Sequence, residues 1–67
     1  MNKLYRFVYE DKVLFESKNE EKVDDFVDEW LEDNFDALYE FANGMLTKTS
    51  IEEHQTWFKA QYIEEVS

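Results

Sequence analysis

The first fifteen residues alternate in the manner of strands. Leu4 to Tyr9 (LYRFVY) and Val13 to Phe15 (VLF) are rich in β-branched and aromatic residues, and the polar link Glu10-Asp11-Lys12 separates them. The pattern predicts a β-hairpin. With a three-residue link, Tyr5, Phe7 and Tyr9 share a face with Val13 and Phe15, while Leu4, Val8 and Leu14 point the other way. A two-residue link pairs different residues. No Asn-Gly or Asp-Gly stands in the link to choose between the two, so the register stays open.

After Ser17-Lys-Asn-Glu20 the period changes. Val23, Phe26, Val27, Trp30, Leu31, Phe35, Leu38, Tyr39 and Ala42 recur at steps of three and four, the signature of one apolar stripe on a helix. Ser17 with Glu20 fits a capping box, and Asn19 is the competing cap. The step around Asp33-Asn34 is irregular and admits a kink or a break. Asn43-Gly44 is a helix stop. Met45 to Thr49 reads as a connector or a short third strand. Ser50 to Glu53 repeats the capping-box pattern. Ile51, His54, Trp57, Phe58 and Tyr62 then mark a second helix running to about Glu65. The expected fold class is α+β: an N-terminal β-hairpin, a long acidic helix and a second C-terminal helix (ββαα), in one small domain spanning 1–67.

Length and composition bound this picture. A chain of 67 residues buries only about 60% of its unfolded surface, so its core is small. There is no cysteine for a disulfide or a Cys/His zinc cluster, and that absence fits a reducing compartment. Six Phe, four Tyr and two Trp must supply most of the core, and twelve rings in so small an interior predict an exposed aromatic patch. Self-association into a homodimer is another route to buried area. The start, MNKLYRFVYED, has no signal-peptide pattern, and no segment approaches the roughly 18 apolar residues of a membrane helix. The expected location is cytoplasmic.

The charge is unevenly placed. Residues 20–40 hold ten carboxylates and one lysine, a net of −9, while the rest of the chain carries −1. Glu20, Asp24, Asp28, Glu32, Asp36 and Glu40 recur every four residues, and Glu21, Asp25, Glu29 and Asp33 form a parallel row. On a continuous helix these rows make eight like-charge i,i+4 pairs. They cost about 2–4 kcal/mol before screening. Mixed Glu and Lys would have provided solubility without that repulsion. Four residues of helix rise about 6 Å, and phosphates of one DNA strand follow one another at about 3.4 Å of axial rise. Two carboxylate rows therefore roughly resemble a phosphate track. The competing reading is a solvated face opposite a core stripe, which is what charge runs usually are.

Other chemistry is thinly represented. A net charge of −10 excludes nucleic acid and anionic membrane as direct ligands. The carboxylates lie along one helix rather than across a cleft, so no acid/base pair and no catalytic residue is assigned. The calcium-loop pattern and Gly-rich phosphate loops are missing, so no metal or cofactor is expected. His54 reads as a core-edge residue. Trp30 and Trp57 read as core, with stacking in a partner's groove as the alternative.

The hairpin LYRFVYEDKVLF and the acidic helix EEKVDDFVDEWLEDNFDALYE together resemble the small acidic, cysteine-free proteins encoded by bacteriophages and other mobile elements. Some of these inhibit host nucleases, glycosylases or defence complexes by mimicking DNA. The class shares no motif, so no residue role is carried over. Many of its members spread their acids over several elements, whereas this chain concentrates them. The resemblance implies a non-enzymatic, protein-binding inhibitor of the anti-defence type, acting in the host cytoplasm. Its expected partner is a protein with a basic surface, such as a nucleic-acid-processing or defence enzyme. The partner-binding residues would be Asp24, Asp25, Asp28, Glu29, Glu32, Asp33, Asp36 and Glu40. The alternative is a small structural or regulatory dimer with an aromatic interface, whose acids only confer solubility.

Overall fold

Glu10 and Asp11 decide the hairpin. In the computed structural model of the protein, which describes residues 3–66, both take left-handed backbone angles (φ 51° and 65°). Two consecutive positive φ values make the two-residue turn whose twist matches the flanking strands. Strands β1 (Leu4–Tyr9) and β2 (Lys12–Ser17) therefore close with Tyr9 opposite Lys12. The link has two residues, not three. Val13 pairs with Val8, and the register then slips so that Phe15 pairs with Phe7 and Leu14 is the extra residue. This bulge keeps Phe15 on the core face with Tyr5, Phe7 and Tyr9 but turns Val13 away, correcting the expected grouping.

Helix α1 (Glu20–Asp33) starts at Asn19, whose side chain accepts from the Glu21 N–H at 3.0 Å. Asn19 is thus the cap, and the Ser17 hydroxyl instead accepts from the Asn19 N–H. The expected long helix is broken at Asn34. The Asn34 N–H makes the last helical bond, to the Trp30 carbonyl at 2.8 Å, its side-chain amide donates to the same carbonyl at 2.9 Å, and its backbone (φ −124°, ψ 49°) then leaves the helix. Helix α2 (Phe35–Phe41) restarts with a different rotation. It buries Ala37 and Leu38 and leaves Phe35 and Tyr39 exposed, so the apolar stripe does not run on as the sequence suggested. Asn43 (φ 55°) and Gly44 (φ 74°) then close α2. Asn43 donates to the Glu40 carbonyl and Gly44 to that of Tyr39, the double bond of a Schellman end.

Residues 45–50 form turns rather than a strand, with the Ser50 hydroxyl accepting from the Thr47 N–H at 2.9 Å instead of capping the next helix. Helix α3 (Ile51–Tyr62) ends earlier than expected, and the third strand follows it: β3 (Ile63–Val66) pairs antiparallel with β1. The sheet order is β2-β1-β3. The class is α+β, with three helices and a three-stranded antiparallel sheet.

The helices lie on one face of the sheet. Phe7 is the strand residue at the centre of the core, packed with Val23, Val27 and Leu31 of α1, Ala37 and Leu38 of α2 and Phe58 of α3. Aliphatic side chains hold the centre, and most rings form a shell around it. Trp30 meets Phe7 edge-on at 5.1 Å, and Phe15 stacks on Phe26 at 4.5 Å. Trp57 is not core: it is 53% exposed, with His54 against its edge. The N-terminal reading bears in part on Met1 and Asn2, and the 1–67 span on Ser67, which lie outside the described residues.

Candidate functional site

Val23, Val27 and Leu31 fix α1 by its inner face, and that alone determines where its acids point. At 100° per residue, Asp25, Glu29 and Glu32 lie opposite this apolar row, with Glu21 beside them. All four are exposed. Among the described residues none of them makes an ion pair.

Asp24 and Asp28 lie on the flank of the helix and have a different role. The Lys59 ammonium of α3 reaches between them, 3.4 Å from Asp24 Oδ2 and 3.1 Å from Asp28 Oδ1. Burial works against the charge on Lys59. The Asp28 hydrogen bond and the charges of Asp28 and Asp24 outweigh it, so the ammonium is held above the ordinary lysine pKa. The side chain of Lys59 is only 18% exposed, which removes water competition and strengthens both contacts. Two of the sequence-predicted interface carboxylates are therefore compensated within the chain. The sequence reading assigned Lys59 no role; the available signal was a basic residue directly after Phe58 in the apolar run of the C-terminal helix.

The break at Asn34 separates a third group. Asp33 ends α1, while Asp36 and Glu40 stand on α2. With Glu10, Lys12 and Leu14 of the hairpin they line an open cleft of about 450 Å³ whose floor includes Tyr9 and Trp30. The two rows of ten carboxylates are thus not one continuous track. Nine of them divide into an outward set on α1, a set facing α3 that shares Lys59 and a set around the cleft beside α2, and Glu20 stands at the start of α1 near Asp24 and Lys59.

The remaining ion pairs belong to the sheet. Lys3 meets Glu65 at 2.9 Å, raising the Lys3 pKa and lowering that of Glu65, and Arg6 Nε meets Glu16 at 3.0 Å. His54 is half-buried, and its Nδ1 lies 2.8 Å from the Ser50 carbonyl, with its ring against the exposed Trp57. Among the described residues no group of three or more His, Cys, Asp or Glu side chains is arranged to hold a metal ion. No described helix is long and apolar enough to cross a membrane.

Comparison with protein-family models, curated proteins and solved structures gave no match.

Proposed function

We propose that the protein is a non-enzymatic binding protein whose acidic α1 face occupies a basic surface of a partner protein. The observation carrying this reading is the division of the carboxylates. Asp24 and Asp28, on the flank nearest α3, share the Lys59 ammonium, while Asp25, Glu29 and Glu32 stand on an anchored helix with no ion pair among the described residues, Lys22 being the one cation beside them. Repulsion along that face lowers stability, and a basic partner surface would offset it.

The partner class follows from the charge geometry. The outward carboxylates repeat at about 6 Å along a helix about 21 Å long, so their reach suits a groove that binds nucleic acid. Such a groove would gain the same counterion-release and steering terms from this helix as from phosphates. The anti-defence inhibitors of bacteriophages are the class whose chemistry this resembles. Asp33, Asp36 and Glu40 would extend the contact around the cleft beside α2.

Capture from a bacterial lysate at about 50 mM salt tests the reading, with duplex DNA as the eluent. A nucleic-acid-binding protein released by DNA and absent from a charge-neutral variant is the expected result. Elution that ignores DNA, or capture unchanged in the variant, would leave the acids as a solvated face and favour the dimer reading.

A further inference from the structure

The helices cover one face of the sheet only. Tyr5, Phe7, Tyr9, Phe15 and Ile63 point into the core. Alternation sends Leu4, Arg6 and Val8 to the opposite face. Cross-strand pairing sets Val66 beside Leu4, Glu16 and Glu64 beside Arg6, and Val13 beside Val8. All three helices join the single core on the inner side, and none of these outward residues packs against it. The outer face therefore has an aliphatic pair at each end and a Glu-Arg-Glu row between them.

We propose that this outer sheet face is the contact between two copies of the chain. Charge is the first argument. Each copy carries −10, and nine of those charges lie in residues 20–40 on the helical layer. A contact through that layer would set acid against acid. The exposed rings Phe35 and Tyr39 share α2 with Asp36 and Glu40, so they meet the same obstacle. The outer sheet face carries a net of −1 and lies on the far side, so pairing through it keeps the two acidic layers apart.

The charged row is also self-complementary. Arg6 gives only Nε to Glu16, so its two terminal nitrogens have no partner among the described residues. The side chain of Glu64 makes no hydrogen bond or ion pair among those residues either. In a two-fold arrangement each Arg6 would reach Glu64 of the other copy, and the contact would form twice. The area sets the strength. Three strands about 4.8 Å apart and five residues long make a patch of about 14 by 17 Å. That falls well short of the roughly 1,200 Å² total of a stable interface, so the dimer is weak and depends on concentration.

Sedimentation from about 10 μM to 1 mM tests this, at about 50 and 500 mM salt. The mass should rise toward twice the monomer, and more readily at high salt, because screening relieves the mutual repulsion of two acidic chains. Val13→Lys should weaken association about tenfold at high salt, where the added charge matters little. Val13 is 51% exposed on an edge strand, so the fold should survive, which circular dichroism would verify. Trp57→Ser should leave association unchanged. Amide shifts of Leu4, Arg6, Val8 and Val66 should move with concentration, while those of Asp25 and Glu29 stay fixed. A monomer at every concentration and salt would overturn the proposal, as would shifts confined to Phe35, Tyr39 and Trp57. This salt response runs opposite to that expected for the α1 face, so either contact can fail without the other.

Discussion

Lys59 and Gly44 each support more of the structure than their size suggests. Lys59 bridges Asp24 and Asp28, offsetting one of their two charges, and ties α3 to α1. Replacing it with Met should cost about 1–2 kcal/mol in urea unfolding at pH 7, since it removes two charge-assisted contacts and leaves the two acids to repel each other. The pH dependence has a definite sign. A lysine held above its ordinary pKa of 10.5 stabilises the fold fully below that value, and the contribution is lost as pH rises through the folded-state pKa. The stability gap between wild type and Lys59→Met should therefore hold constant from neutral pH up to 10.5 and narrow above it. Gly44 sits at φ 74°, and a Cβ there would lie 3.2 Å from the Tyr39 hydroxyl. Gly44→Ala should cost about 1–2 kcal/mol, mainly from the left-handed backbone, read as a lower melting temperature. The Asn43-Gly44 stop was legible because the dipeptide directly follows a run of three-four spacing. Lys59 was not, because its partners are 31 and 35 residues away in the chain.

Elements with a strong local period could be read from the sequence, and those set by a single residue could not. The β1–β2 hairpin and α3 followed directly from alternation and from three-four spacing. The break between α1 and α2 lies at Asn34, whose backbone (φ −124°, ψ 49°) leaves the helical region. The irregular step at Asp33-Asn34 admitted a break, but the acidic residues continue at helical spacing through Asn34, so the sequence did not choose between one helix and two. Strand β3 was hidden for a different reason: Ile63 to Val66 is short and has the acids Glu64 and Glu65 at its centre, so its strand identity comes from pairing with β1. The turn offers a direct test at this scale. Glu10 and Asp11 both carry positive φ without being the residues that favour it. Replacing them with Asn-Gly should stabilise the domain by about 1 kcal/mol in urea unfolding and leave the strand register unchanged by NMR.

Across the whole molecule the dominant feature is the separation of charge from the sheet. The helical layer carries almost all of the net charge, and the outer sheet face is nearly neutral. The concentration of acid was plain in the sequence; its division into paired, outward and cleft-lining sets was not, because it depends on where α3 and the hairpin dock against α1. That division also selects the decisive variant. Neutralising Asp28 would disturb Lys59, whereas Asp25→Asn, Glu29→Gln and Glu32→Gln together change only the outward face. This triple variant should be more stable than wild type by about 1–2 kcal/mol, because it removes four like-charge i,i+4 pairs on α1. Its affinity for the captured partner, measured beside wild type from about 50 to 200 mM salt, is the most direct test of the α1 face as a binding surface. At low salt the variant should bind at least about tenfold more weakly, and the wild-type affinity should fall steeply as salt rises. A variant that binds as tightly as wild type at low salt, with the same salt dependence, would contradict the assignment.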